Sequence, residues 1–317
     1  MQLSDQQIKF FDTNVLKIDR EKRKEYLGQV DHLIGCLQTK IDEETSFGVK
    51  KFIKTGSLMK GTSLKPRDSF PVDADIAVAL DVSEAKKEDI NALHDKILKL
   101  LIAIYPQKPK SDFAVQPRTL GIEFRVSGLC VDLVPVIPIP SKPGFAWQPS
   151  SQGQPPIMTN IQGQLDFLKA RRDKDASYRI LVRLLKRWRN TKELKQLGSF
   201  SIELILAYLL DTRGAPRNLE EGVSRFFLFL AQSELKQKIA FKENGTVTSW
   251  PKETVVILDP VNSQNNVTKR ITEAERQEIV KEALTAWETI STASHNGFKG
   301  ETVDFWRNIF GRGFVIE

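Results

Sequence analysis

The 317-residue sequence is poor in the residues that build disulfide-rich and zinc-stabilised proteins, with only two cysteines and three histidines. Cys36 and Cys130 allow one disulfide arithmetically, but so few cysteines are typical of a reduced cytosolic protein. A structural zinc site, which needs four clustered ligands, is not expected. The sequence also contains no internal repeat and no low-complexity segment.

Long hydrophobic runs are absent as well. No stretch approaches the roughly 20 apolar residues that a membrane-spanning helix needs, and the first residues lack the apolar core of a signal peptide. We therefore expect a cytoplasmic protein without a membrane partner. Hydrophobic residues still make up 40% of the chain, which is enough for one large domain or for two lobes.

Positive charge is in excess, with a formal net charge of +7. The excess is concentrated between Lys169 and Lys192, where ten lysines and arginines accompany two aspartates. Such a surplus indicates an anionic partner, although a solvated basic surface is the alternative. Four cations of this segment fall on one predicted helical face: Arg179, Arg183, Lys186 and Arg187.

Hydrophobic periodicity divides the chain into a mixed half and a helical half. The first half alternates strands with amphipathic helices, the latter at Arg20–Lys40 and at 87–105. The Pro-, Gly- and Ser-rich segment 141–160 is predicted to be a loop between lobes. Helices are then predicted at about 161–174, 177–191, 200–212, 219–239 and 272–293.

This pattern predicts an α+β protein. The domains are expected at 1–160, with an N-terminal spine helix and a strand-containing lobe, and at 161–317, with a helical lobe. A cleft between two such lobes is the default place for a site.

The predicted strand VDADIAVAL carries two carboxylates in an otherwise apolar run. Side chains two residues apart on a strand share a face, so Asp73 and Asp75 project together, about 7 Å apart. Asp132 lies in a second apolar strand, CVDLVPV. Carboxylates beside a hydrophobic core are costly unless a cation neutralises them. Three of them at neighbouring strands would form the oxygen-rich site that Mg²⁺ prefers.

A glycine-serine turn precedes these strands. Gly56-Ser57, at a predicted helix start, offers backbone N–H groups and a hydroxyl to a phosphate. Each part alone is weak, since Gly-Ser pairs are common in loops and a D-x-D pair after Pro71 could be ordinary turn residues. The ordered set of phosphate-binding turn, D-x-D strand and later strand aspartate is far more specific.

These stretches resemble a known family over about residues 50–270. Four parts of the sequence are similar, in the same order, to segments of polymerase-β-type nucleotidyltransferases. They are GSLMKGTSLK with DADIAV, VDLVPV, LVRLLKRWRN with SFSIELILAYLL, and VVILDPVNSQNNV. The similarity is greatest to oligoadenylate synthases and to the bacterial cGAS/DncV-like nucleotidyltransferases (CD-NTases). It implies a nucleotidyltransferase lobe with a mixed sheet and flanking helices, a C-terminal helical lobe, and an active site in the cleft between them.

The resemblance also implies roles for individual residues. Asp73, Asp75 and Asp132 would bind Mg²⁺, with Mn²⁺ as an alternative, and Asp132 would help to deprotonate the attacking hydroxyl. Ser199 is expected to be a helix N-cap as well as a phosphate ligand, and Lys60 could equally be solvent-exposed. The residues expected to bind the nucleotide are Gly56, Ser57, Lys60, Arg183, Lys186 and Ser199.

By the same resemblance, the protein would join NTPs, above all ATP or GTP, into a cyclic di- or trinucleotide and release pyrophosphate. The product would activate a separate effector, as in bacterial antiphage CBASS operons, and a nucleic-acid activator is an option rather than a requirement. Two alternatives stay open: a nucleotidyltransferase acting on an RNA end or a protein, and a catalytically dead nucleic-acid-binding module. The three intact aspartates count against the second.

Two further features are predicted to be structural. The phenylalanines Phe226, Phe227 and Phe229 lie in a helical stretch and are expected in the core. The segment ILDPVNSQNNV is expected to form a loop whose amides satisfy one another, and a contribution of Asn265 or Asn266 to a base pocket is the alternative.

Overall fold

The computed structural model describes residues 1–45, 47–66, 71–81 and 93–317. They form two compact units, one of Ile18–Leu165 and one of Met1–Lys17 with Asp166–Glu317. The sequence places the first seventeen residues with the strands, whereas their contacts group them with the C-terminal helices. In the described ranges, the helices are all too short or too polar to cross a bilayer.

The described part of the unit Ile18–Leu165 contains a seven-stranded mixed sheet. Its central order is β1-β2-β5-β4-β3, and β6 and β7 extend it from the end of β5. β2 and β5 run parallel and the other neighbours are antiparallel. The strands are β1 (Gly48–Thr55), β2 (Val72–Asp81), β3 (Phe113–Val115), β4 (Leu120–Phe124), β5 (Leu129–Pro138), β6 (Ala146–Gln148) and β7 (Ile157–Thr159).

One face of this sheet is the core of the unit. Alternate residues of β2, β4 and β5 are buried there against two helices of the same unit, α2 (Arg20–Glu44) and α4 (Leu93–Ile104). The helix α2 begins after Asp19, whose side chain accepts a hydrogen bond from the backbone N–H of Lys22. It buries side chains at helical spacing: Tyr26, Val30, Leu33, Leu37 and Ile41.

Both amphipathic helices of the first half were predicted. The helix α2 extends the predicted Arg20–Lys40 by one turn. The helix α4 corresponds to the prediction over 87–105, of which residues 87–92 lie outside the described residues. The short helix α3 (Gly56–Lys60) follows β1, as the glycine-serine turn predicts.

The other unit is helical. The N-terminal helix α1 (Asp5–Phe11) leads into a π-helical turn, Asp12–Leu16. A small hairpin joins β8 (Leu258–Asp259) to β9 (Asn262–Asn266). The remaining helices are α5 (Ile161–Lys174, which starts in the other unit), α6 (Tyr178–Thr191), α7 (Ser199–Arg213), α8 (Leu219–Ser233), α9 (Glu273–His295) and α10 (Lys299–Phe310).

The core of the helical unit confirms the prediction for the phenylalanines. Phe226 and Phe227 are fully buried and Phe229 is 3% exposed. The ring of Trp188 lies 4.8 Å from that of Phe227 and 6.4 Å from that of Phe226, so α6 packs on α8 through aromatic contacts.

Two local predictions were wrong. The segment 141–160 contains β6 and β7 rather than only loop, and Arg118 holds the chain that joins them by donating to the carbonyls of Gln148 and Pro155 at 2.8 Å. Helix α8 ends at Ser233 rather than near 239, since Glu234 and Leu235 adopt φ of 50° and 52°. The first outcome depends on partners outside the segment, which a local pattern does not contain.

Candidate active site

The parallel pairing of β2 with β5 brings the three predicted aspartates together. Asp75 lies directly opposite Asp132, and Asp73 lies opposite Cys130. Neighbouring strands are about 4.8 Å apart, so the three carboxylates form one compact group. Because their apolar neighbours along each strand point into the core with α2 and α4, the carboxylates project from the other face.

This grouping changes the acidity of Asp132. Asp73 is exposed, whereas Asp75 and Asp132 are half-buried. Burial, with the nearby charges of Asp75 and Asp73, raises the pKa of Asp132 to about 6. A cation among the three carboxylates would relieve this repulsion.

The donor set suits a hard divalent cation, since it consists of carboxylate oxygens. Across the described ranges, no cluster of three or more acidic, histidine or cysteine side chains has the geometry of a preformed metal site. The fit therefore rests on the chemistry of the oxygens and on the strand register. Cys130, beside Asp73, is a free thiol whose pKa burial raises to about 11, so it stays protonated.

Two glycines leave room for the carboxylates. Gly56, the first residue of α3, has a φ of +75°, and a Cβ there would lie 1.8 Å from Oδ2 of Asp75. Gly121 on β4 lies opposite Asp132, and a Cβ there would lie 3.1 Å from Oδ1 of that residue. Gly121 was not identified from the sequence, where the available signal was a glycine inside a strand.

The single turn of α3 is closed by its own backbone. Gly61 ends it in the left-handed conformation, and the N–H of Thr62 donates to the carbonyl of Ser57 at 2.9 Å. The hydroxyl of Ser57 lies 2.8 Å from that of Ser63. Lys60, the last residue of α3, is half-buried.

The long helix α2 also holds α3. The guanidinium of Arg23 donates from Nε and Nη2 to the carbonyl of Leu58, at 3.3 and 3.1 Å. Arg23 was not identified from the sequence, because the pattern of α2 shows only which residues face the core. Together with the closed turn, this contact fixes the backbone that carries Ser57.

Two basic residues of α6, Arg183 and Lys186, are buried and so do not belong to the solvated surface that was the alternative for this segment. Arg183 is 4% and Lys186 is 7% exposed. Arg183 forms a bidentate ion pair with Asp12 of the π-helical turn, with both contacts at 2.6 Å. Arg187 donates to the carbonyl of Phe310, and Arg179 is exposed. The triphosphate role of Arg183 and Lys186 stays a prediction.

The capping role of Ser199 is corrected. Gly198 is the N-cap of α7, and Ser199 is the first residue inside the helix. Its hydroxyl accepts a hydrogen bond from Nη1 of Arg189 at 2.9 Å. An arginine of the preceding helix thus uses the hydroxyl that the local pattern assigned to the helix end. Phosphate contact by Ser199 stays a prediction.

The hairpin of ILDPVNSQNNV supports the structural interpretation. Asn266 is 4% exposed, and its side chain accepts from the N–H of Ile257 and donates to the carbonyl of Val255. Asn265 donates to the buried carboxylate of Asp259 at 3.2 Å. These amides satisfy backbone and side-chain partners within the hairpin.

No protein-family model matches the chain, but individual proteins do. It is 40% identical over 317 residues to a CBASS oligonucleotide cyclase CdnC of Escherichia coli (strain KTE188), covering 100% of this chain and 99% of the relative. It is 31% identical over 316 residues to a cyclic AMP-AMP-AMP synthase of Escherichia coli (strain MS 115-1), covering 96% and 95%.

Solved structures agree with these relatives. The E. coli MS115-1 CdnC bound to ATP matches with a TM-score of 0.85 at 30% identity, covering 99% of each chain. The same protein in complex with a HORMA protein matches with a TM-score of 0.82 at 28% identity, again over 99% of each chain.

The fold and these relatives define the chain as a nucleotidyltransferase. The chain belongs to the CBASS oligonucleotide cyclases of the CD-NTase family, enzymes that synthesise cyclic oligonucleotides from NTPs. Enzymes of this family generally depend on a divalent metal ion. The predicted family, α+β fold class and activity are confirmed, and the two alternative functions lose their support.

Proposed function

We propose that Asp73, Asp75 and Asp132 hold Mg²⁺, or Mn²⁺ in its place, and that the enzyme joins NTPs into a cyclic di- or trinucleotide with release of pyrophosphate. The observation that carries this proposal is the strand register. It sets Asp75 beside Asp132, with Asp73 on the same face of the sheet.

Each aspartate has a distinct task in this proposal. Bound divalent ions would lower the pKa of the attacking ribose hydroxyl and neutralise charge on the departing pyrophosphate. Asp73 and Asp75 would hold these ions at the place where the donor α-phosphate binds. Asp132 would complete the ion site and help to accept the proton of the attacking hydroxyl.

The donor triphosphate is assigned to the turn after β1. The backbone N–H groups of α3 and the hydroxyl of Ser57 suit the β and γ phosphates, with Gly56 giving the chain room beside Asp75. Lys60 adds positive charge at the end of the same turn.

Three residues of the helical unit complete the proposed set of nucleotide ligands: Arg183, Lys186 and Ser199. Arg183 would act while keeping its pair with Asp12. Buried cationic side chains are held in one orientation, so they can stabilise the charge of a phosphate without reorganising.

ATP is the first substrate to test, since a relative at 31% identity is a cyclic AMP-AMP-AMP synthase. A cyclic triadenylate is accordingly the first product to look for, with GTP-containing rings next. The product would activate a separate effector in the cytoplasm, where the two free thiols of the chain fit a reducing compartment.

The relative in complex with a HORMA protein supports one protein partner. We propose that a HORMA-domain protein also binds this chain. Co-elution of the two purified proteins in size-exclusion chromatography is the expected result, and separate elution at micromolar concentration contradicts it.

The decisive experiment is mass spectrometry of the products formed from all four NTPs with Mg²⁺, with Mn²⁺ and with EDTA. We expect a phosphatase-resistant cyclic product with either ion, and none with EDTA. The double variant Asp73→Asn with Asp75→Asn should lose activity by ~10³-fold or more, because ground-state and transition-state charge would no longer be neutralised.

A matched control exists on the same strand. Asp81, at the far end of β2, is exposed and pairs with Lys50 at 3.1 Å. Asp81→Asn should leave the product yield unchanged. Full activity of the double variant would end the catalytic assignment of the aspartates.

A further inference from the structure

A second serine lies behind the proposed phosphate-binding hydroxyl. Ser63 is 7% exposed and follows Thr62, which is 1% exposed. Its Oγ lies 2.8 Å from Oγ of Ser57, whereas Ser57 itself is half-buried. The chain returns to Ser57 because Gly61 ends α3 and the N–H of Thr62 bonds to the carbonyl of Ser57.

The shared hydrogen bond has one direction once an anion is present. Each hydroxyl has one proton to donate and two lone pairs. A phosphate oxygen only accepts, so Ser57 must give its proton to the phosphate. Ser63 must then donate to Ser57, and this polarises the Ser57 hydroxyl toward the anion.

We propose that Ser63 is a positioning residue for nucleotide binding, which fixes the rotamer of Ser57 and directs its proton to the donor triphosphate. The proposal rests on the proposed function, in which Ser57 contacts that triphosphate. Ser63 acts through Ser57, so its effect should disappear when the Ser57 hydroxyl is absent.

A double-mutant cycle tests this coupling. The proteins are wild type, Ser57→Ala, Ser63→Ala and the double variant, and the measurement is the Kd of a non-hydrolysable ATP analogue with Mg²⁺ by titration calorimetry. We expect roughly three- to tenfold weaker binding for Ser63→Ala, the range of one neutral hydrogen bond. In the Ser57→Ala background, the same substitution should change Kd less than about twofold.

Steady-state kinetics provides a second readout. Ser63→Ala should raise KM for ATP more than it lowers kcat, because the contact is made in both the ground state and the transition state. Ser63→Thr, which keeps the hydroxyl, should restore most of the affinity. Thermal unfolding of every variant shows whether the fold is kept.

Another buried serine provides the control. Ser150 lies in the same unit, is fully buried and accepts a hydrogen bond from the N–H of Gln152. Ser150→Ala removes a buried hydroxyl without touching α3, so it should leave the Kd unchanged.

The outcomes separate this inference from the proposed function. Equal losses for Ser63→Ala with and without the Ser57 hydroxyl would overturn it, and so would unchanged binding by Ser63→Ala when Ser57→Ala binds weakly. If Ser57→Ala binds the ATP analogue as tightly as wild type, the proposed phosphate role of Ser57 is wrong. The inference about Ser63, which depends on that role, is then wrong as well. If Ser63→Ala does not fold, failure of Ser63→Thr to bind the analogue like wild type overturns the inference.

Discussion

Two groups of charged side chains, one in each unit of the molecule, are arranged in opposite ways. In the helical unit a buried cation meets an opposite charge, as when Arg183 grips Asp12. In the sheet unit like charges are gathered on one face by Asp73, Asp75 and Asp132, and the pKa of Asp132 rises to about 6. Loss of one partner from a buried pair destabilises a fold strongly, whereas gathered like charges cost stability until a cation neutralises them.

A second arginine of the helical unit makes the same point. Arg171 is 3% exposed and pairs with Asp211 and with Glu243, both at 2.7 Å. Its guanidinium also lies 3.7 Å from the ring centre of Phe167. Part of the basic segment is therefore used inside the fold, so its count of positive charges alone overstates the charge offered to an anion.

The largest expected effect comes from breaking the buried ion pair between Arg183 and Asp12. Asp12→Ala leaves the buried guanidinium of Arg183 without its bidentate partner, and we expect the free energy of unfolding to fall by about 3–5 kcal/mol. Denaturant titration measures it. Lys22→Ala, which breaks an exposed pair with Glu25, should cause no measurable change. A loss for Asp12→Ala as small as that of the control would show that the pair is not structural.

The next effect tests how tightly the carboxylates are packed. Gly56→Ala combines a φ of +75° with a Cβ 1.8 Å from the carboxylate of Asp75, and we expect kcat/KM to drop by ~10²-fold. Gly128→Ala is a matched control, since its φ is +74° but a Cβ there meets no atom within 4 Å. It should share the backbone cost and keep the activity. Equal activities for the two variants would contradict the predicted contact with Asp75.

The smallest effect concerns the stability cost of the gathered charges. The folded-state pKa of Asp132, about 6, lies above its ordinary value of 3.8, so the folded protein holds this proton more tightly than the unfolded chain. Stability is therefore lost as pH rises from about 4 to 6, and the loss is complete above that range. In metal-free protein at pH 7.5, Asp132→Asn should stabilise the fold by about 1–2 kcal/mol. This is less than the free energy that corresponds to the full pKa shift, because the group is only half-buried and solvent screens its charge.

Thermal unfolding in EDTA from pH 4 to 7.5 measures this difference. The gap between Asp132→Asn and wild type should close toward pH 4, where the wild-type carboxyl is protonated. Adding Mg²⁺ should stabilise wild type more than the variant. If the variant is less stable than wild type at pH 7.5 in EDTA, Asp132 stabilises the fold and does not destabilise it.

Much of the sheet unit could be predicted from the sequence, because strands and helices are indicated by short local patterns. The alternation in VDADIAVAL separates Asp73 and Asp75 from the buried Ala74 and Ile76 within a few residues. The spacing of Tyr26, Val30, Leu33 and Leu37 likewise indicates the buried face of α2. Strand and helix periods are properties of the backbone, so short stretches reveal them.

Other contacts join residues that are far apart in the chain. Asp12 and Arg183 are separated by 171 positions. The bond of Arg189 to Ser199, which replaced the predicted capping role, joins α6 to the next helix. The strands β6 and β7 form where a loop was predicted, because they pair with β5 and with each other. A local window contains no information about such partners.

By itself, the sequence determined which face of each strand carries the aspartates and which face carries the apolar side chains. Only the tertiary structure decided that β2 pairs in parallel with β5 in the register that sets Asp75 beside Asp132. It also decided that the arginine of α6 is buried against the first turns of the chain. The physical reason is that side-chain alternation comes from the geometry of one strand, whereas the choice of partner depends on the packing of the whole unit.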